Sequence, residues 1–137
     1  MIHYLLDSSA LWRLLREPTI RAGWADVVAD HGVGSCQPQR AEFRCSARNA
    51  TEYEQMSTMF DELYPDVSLP KGIWQWVEST QHRLVLAGAH RALSCVDLLL
   101  CGAAAQRDLV LLHDDNDFAT TARLLTDVRE RRVQQLP

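Results

Sequence analysis

Lysine is nearly absent from this chain: thirteen of its fourteen basic residues are arginine, and Lys71 stands alone. With a formal net charge of −4, the chain has no overall positive coat of the kind that binds nucleic acid through many phosphate contacts. Arginine forks still suit bidentate recognition of phosphate or carboxylate, so a local basic rim is compatible with the acidic whole; a genome rich in arginine codons explains the bias equally well. No apolar run approaches bilayer-spanning length, which argues against a membrane span. The opening MIHYLLDSSALW meets an acid at Asp7, unlike a secretory signal, so a cytoplasmic protein is expected. The four cysteines, at 36, 45, 95 and 101, form no C-x-x-C pair and do not cluster with histidines, so zinc is not indicated and reduced, partly buried thiols are expected. Low-complexity tracts, repeats and linkers are missing too, and 137 residues is the size of one domain; 1–137 is read as a single one.

What is present is an alternation of short apolar runs and helical patterns. Ile2 to Leu6 predicts a strand, and the Ala10 to Leu15 stretch after Asp7-Ser8-Ser9 a helix. Thr19 to Asp30 predicts a second helix, Gly32 to Cys36 a short strand, and Pro38 the opening turn of a helix that carries Glu42. Residues 50–63 have helical composition, Asp66 to Leu69 suits a short strand, and Ile73 to Leu86 a helix. Ser94 to Gln106 combines a helix start with a leucine stripe and an alanine-rich body; Leu109 to Leu112 predicts a strand and Asp117 to Leu125 a helix. Strands alternating with helices imply an α/β sandwich around a largely parallel sheet.

In such a fold ligands gather beyond the carboxyl ends of the strands. Asp7 ends the first strand, and His113 to Asp117 follow the last strong one. Asp97 lies at the start of a helix whose neighbours are otherwise apolar, and Glu42 lies similarly early on its own helix, in Ala41-Glu42-Phe43. Each has an ordinary explanation: Asp7 as a helix cap, Asp97 in a capping box with Ser94, Glu42 as a solvated residue near a helix start, and 114–117 as a turn. Together they ask for more, because carboxylates gathered at one edge raise one another's pKa unless a cation neutralises them. An oxygen-only donor set selects a hard ion, Mg²⁺ or Mn²⁺.

The stretch Leu5-Leu6-Asp7-Ser8-Ser9-Ala10-Leu11 resembles the opening motif of PIN-domain ribonuclease toxins, the VapC-type half of VapBC toxin–antitoxin pairs. Ala41-Glu42-Phe43, Val96 to Ala105 and Leu111 to Phe118 resemble the family's later blocks in the same order. The resemblance implies a PIN-like α/β/α sandwich and an acidic quartet, Asp7, Glu42, Asp97 and Asp115, that carries catalysis. Metal binding would fall to Asp7, Asp97, Asp115 and the accessory acid Asp117, with Ser9 orienting Asp7 or a water. Where the family commonly has threonine before the last acidic pair, this chain has His113, and Asp114 follows it; the choice among Asp114, Asp115 and Asp117 therefore stays open. As a histidine at the end of an apolar strand, His113 is read as structural.

The implied activity is metal-dependent endoribonuclease cleavage leaving 5′-phosphate and 3′-hydroxyl ends, on a single-stranded or loop region of a structured RNA. Arg13 and Arg16 beyond Asp7, and Arg44 and Arg48 beyond Glu42, are the candidate phosphate contacts, against the reading that they are solvated helix residues. The implied partners are a VapB-type antitoxin and a second copy of the chain. Trp12, Trp24, Leu11 and Leu15 are candidates for an apolar antitoxin groove, with core packing expected for at least half of them. A receiver domain is disfavoured because it wants a lysine after a late strand, and an Asp-x-Asp phosphatase because Asp7-Ser8-Ser9 lacks the second acid. The competing reading is a catalytically silent PIN-fold module that binds RNA or protein.

Overall fold

The computed structural model describes residues 1–137. Its centre is a four-stranded sheet in the order β2-β1-β3-β4, parallel throughout, built from β1 (Tyr4–Leu6), β2 (Val33–Gly34), β3 (Val110–His113) and β4 (Arg129–Arg132). Seven helices connect and cover it: α1 (Ser8–Arg16), α2 (Pro18–Ala29), α3 (Gln37–Arg44), α4 (Ala50–Leu63), α5 (Ile73–Leu86), α6 (Cys95–Gln106) and α7 (Asn116–Ala122).

The two-residue period of the central strands divides the interior. Leu5 and Leu111 face one core with α5, α6 and Phe118 of α7; Leu6 and Leu112 face the other with α1, α2 and α4. Both faces are thus apolar and covered, as a parallel sheet requires. Gly102 sits where α6 crosses α5: a Cβ there would stand 2.5 Å from Ile73 Cδ1 and 2.8 Å from Trp76 Cε3, so the missing side chain sets the close approach.

Helix starts are chemically marked. Asp7 caps α1, Asn49 caps α4 through the Glu52 amide at 2.8 Å, Ser94 and Asp97 form a reciprocal capping box on α6, and Asp115 caps α7. No helix is long and apolar enough to cross a membrane.

Two expectations are corrected. The strand expected over 66–69 is a single parallel bridge, Ser35 to Asp66, because Pro65 and Pro70 bracket the segment and leave little room for a ladder. A fourth strand stands where none was expected: β4 reads Arg-Glu-Arg-Arg, and it lies at the sheet edge, where charged side chains reach water while the backbone pairs with β3. Val128 and Val133, on either side of it, supply the buried anchors, and Trp24 Nε1 donates to the Val133 carbonyl at 2.8 Å.

Candidate active site at the carboxyl edge of the sheet

Chain order places β2 on one side of β1 and β3 on the other, so the direction of winding reverses between β1 and β3, and a crevice opens beyond their carboxyl ends. Asp7 follows β1 and is 4% exposed. Its Oδ2 accepts the Ser9 amide at 2.9 Å and the Ser9 hydroxyl. The same hydroxyl accepts the backbone N–H of Asp114 at 2.8 Å, which ties the β1–α1 turn to the β3–α7 turn.

The other acids converge electrostatically on this point. Burial pushes Asp7 up from 3.8 to about 6 against the Ser9 hydrogen bonds, and the charges of Asp97 and Glu42 add to the rise. Glu42 is raised by partial burial and by Asp97, with a hydrogen bond from Ser8 opposing. Asp97 is raised by burial and by the charges of Asp115 and Asp117, against the Ser94 hydrogen bonds. Asp97 therefore links acids from four separate helices: its charge acts on Asp7 and Glu42, and those of Asp115 and Asp117 act on it.

Each aspartate of the quartet spends one oxygen on its own helix start. Asp7 uses Oδ2, Asp97 uses Oδ2 on the Ser94 amide at 3.0 Å, and Asp115 uses Oδ1 on the Asp117 amide at 2.8 Å, so the second oxygen of each has no protein donor. The capping and ligand readings of these residues are thus compatible. Asp114 is committed elsewhere: Arg13 Nε stands 2.8 Å from its Oδ2 as an ion pair, out of line for a hydrogen bond, Arg132 Nη1 is 3.8 Å from Oδ1, and Gln134 also donates to Oδ1.

In charge and chemistry the donor set fits a hard divalent cation: it is all carboxylate, half to fully buried at Asp7 and Asp97, and no arginine pairs with any member of the quartet. Its spacing is open, since no three Asp, Glu, His or Cys side chains stand close enough together to hold an ion.

The four candidate arginines divide. Arg13 is paired with Glu17 and Asp114, and Arg48 with Glu52 at 3.0 Å. Arg16 stacks 4.7 Å over Trp12, and Arg44 lies 5.4 Å from the Tyr53 ring; neither has a carboxylate partner. Sequence reasoning missed Glu130, which stands 2.6 Å from His113 Nε2, and Arg132, which pairs with Asp114 and donates to Asn116, because both sit on the unforeseen strand. The four cysteines are free, Cys36 and Cys101 buried, Cys45 and Cys95 exposed, as reduced and partly buried thiols should be.

Over 106 residues, 77% of this chain and 84% of the relative, the sequence is 60% identical to Ribonuclease VapC6 of Mycobacterium tuberculosis. The chain belongs to the VapC ribonuclease family. Its fold matches the VapC type in solved VapBC structures: VapBC-1 from nontypeable Haemophilus influenzae at TM-score 0.76 and 16% identity, covering 98% of this chain and 100% of that one, and VapBC2 from Rickettsia felis, bound to a promoter DNA fragment, at 0.76 and 12%, covering 96% and 98%. The PIN-like sandwich expected from the motifs is the fold that this VapC relative adopts. No protein-family profile matches the chain.

Proposed function

We propose that this protein is a Mg²⁺- or Mn²⁺-dependent endoribonuclease and the toxin of a type II pair, acting at the acidic edge between β1 and β3. The observation that carries the reading is Asp7: a buried carboxylate at a strand end, within the field of Asp97 and Glu42, with no cationic side chain to neutralise it. Membership of a family whose relative is named a ribonuclease supports the same reading.

In binding an ion, Asp7, Asp97 and Asp115 would have to close around it with the oxygens their helix caps leave free, with Glu42 and Asp117 beside them. When bound, a divalent cation lowers the pKa of water and neutralises charge building on the scissile phosphate. Ser9 keeps Asp7 oriented, and Asp114, already occupied by Arg13 and Arg132, organises the rim instead of ligating. Arg16 and Arg44, free of carboxylates, are the stronger phosphate contacts; Arg13 and Arg48 would first have to leave their partners.

The antitoxin has a groove to enter. Leu14 and Leu15 of α1, Arg21 and Val28 of α2, and Met59 and Leu63 of α4 line an apolar cleft of about 300 Å³. That is the form of site an amphipathic helix fills. Of the residues expected there only Leu15 lines it; Leu11 and Trp24 are core at 0% exposure, and Trp12 is half-buried against Phe43. A homodimer belongs to the same reading, and α5 leaves Trp74, Val85 and Leu86 exposed as apolar area for it.

The open spacing of the carboxylates favours one alternative, a silent module that binds without cutting. The two separate by incubating the purified protein with RNA and Mg²⁺ or Mn²⁺, with chelator and Asp97→Asn controls, and mapping new 5′-phosphate ends. Discrete ends lost in both controls support the nuclease; Mn²⁺ binding equal in both proteins with no ends sinks it.

A further inference from the structure

β3 ends in a histidine whose two ring nitrogens are both engaged. His113 is 0% exposed. The backbone N–H of Asp115 meets its Nδ1 at 3.0 Å, and its Nε2 stands 2.6 Å from Oε2 of Glu130 on β4. An amide N–H can only donate, so Nδ1 carries the lone pair and the ring proton sits on Nε2, facing the Glu130 carboxylate. The contact is a hydrogen bond that the Nε2–H donates to the Glu130 carboxylate.

The ring is held on its other sides as well. It packs against Phe118 of α7 with centroids 5.3 Å apart, and the His113 carbonyl accepts the Val133 amide at 2.9 Å. Edge strand, helix and turn therefore meet at one side chain. The turn bearing Asp115 is held at two points: its amide donates to the ring, and its carboxylate accepts the Asp117 amide at 2.8 Å.

We propose that His113 and Glu130 are positioning residues for Asp115: Glu130 fixes the ring's tautomer, and the ring fixes the turn that presents the Asp115 carboxylate at the sheet edge. The proposal rests on the reading of Asp115 as a metal-site residue. Partners one step removed from a metal site govern it strongly, because an unheld ligand samples orientations in which it does not bind; losing one costs about 10- to 100-fold in affinity or activity.

A merely structural histidine makes a different forecast. Leucine conserves apolar bulk and should satisfy a core role, whereas asparagine leaves a smaller side chain but places Oδ1 where Nδ1 accepts the Asp115 amide. Glutamine at 130 still accepts from Nε2; alanine does not. The experiment compares wild type with His113→Leu, His113→Asn, Glu130→Gln and Glu130→Ala. It measures exchange of the Asp115 amide in metal-free protein by NMR, Mn²⁺ affinity by calorimetry, and kcat and KM on a short RNA.

In His113→Leu the amide should exchange about tenfold faster or more, and Mn²⁺ affinity and kcat should fall by about tenfold or more while KM stays within about threefold. His113→Asn should recover most of each loss, Glu130→Gln should resemble wild type, and Glu130→Ala should fall between. A folded His113→Leu protein with wild-type exchange and Mn²⁺ affinity overturns the proposal, as does an asparagine variant no better than leucine. If leucine prevents folding, the asparagine and Glu130 variants decide it. Wild-type protein that neither binds Mn²⁺ nor cuts RNA would defeat the metal-site reading, while amide exchange still decides whether the ring holds Asp115.

Discussion

The Ser9 hydroxyl accepts the backbone N–H of Asp114 at 2.8 Å, so a side chain on the first turn of α1 fastens the turn that follows β3. Because that hydroxyl also donates to Asp7, one oxygen joins the two ends of the acidic edge. Ser9→Ala removes both bonds and leaves the Asp114 amide without an acceptor, at a cost of about 1–3 kcal/mol. Urea denaturation should show that loss, and Ser9→Thr, which keeps the hydroxyl, should recover most of it. An alanine variant as stable as wild type would mean that water replaces the serine fully.

Asp7 gives the metal-free protein a pH signature. Folding raises its pKa from 3.8 to about 6, chiefly by burial, so the folded state binds this proton more tightly than the unfolded one. The resulting stabilisation is complete below 3.8, falls as pH climbs toward 6, and is absent above, a difference of about 3 kcal/mol at most. Asp7→Asn should therefore gain about 2–3 kcal/mol on wild type in chelator at pH 8, several degrees in Tm for a chain of this size, and lose that advantage near pH 4. Mg²⁺ at pH 8 should raise the Tm of wild type and not of the variant. Parallel pH profiles for the two proteins would count against a buried, uncompensated Asp7.

The sheet centre was legible because Leu5, Leu6, Leu111 and Leu112 are buried on both faces and so appear as unbroken apolar runs. Asp7, Asp97 and Asp115 were legible for a related reason: each sits at a helix start, where sequence punctuation is strongest. β4 was not, because an edge strand written Arg-Glu-Arg-Arg has no hydrophobic period and is specified by its backbone pairing with β3. Missing β4 hid Glu130 and with it the second partner of the His113 ring. The choice among the last three acids was equally out of reach, since it turns on Arg132 and on Arg13, which lies about 100 residues away in the chain. Arg40, buried at 6% exposure and bonded to Ser35 Oγ and the Tyr64 carbonyl at 2.8 Å, looks in the sequence like any exposed helical arginine.

That choice has a direct test. Asp114 is occupied by Arg13, Arg132 and Gln134, whereas Asp115 keeps a carboxylate oxygen free and contributes to the field at Asp97. Calorimetric titration with Mn²⁺ should find Asp114→Asn within about threefold of wild type and Asp115→Asn weaker by about tenfold or more. The reverse order would transfer the ligand role to Asp114.

The groove between α1, α2 and α4 lies apart from the acidic edge, sharing none of its residues, so inhibition and catalysis should separate by mutation. Ala25 lines the groove and is exposed on α2, where a larger side chain meets solvent and not core. Ala25→Arg places a charge and a long side chain in a cleft that is otherwise apolar apart from Arg21. An amphipathic antitoxin helix would lose the contact area of its apolar face there, and at about 25 cal/mol per Å² a displaced leucine or phenylalanine side chain is worth about 2–3 kcal/mol, some 30- to 150-fold in affinity. Cleavage of RNA by Ala25→Arg should match wild type while its neutralisation by the cognate antitoxin weakens by that factor. Neutralisation unchanged by Ala25→Arg, in a variant whose fold is intact, would move the antitoxin to another surface of the molecule.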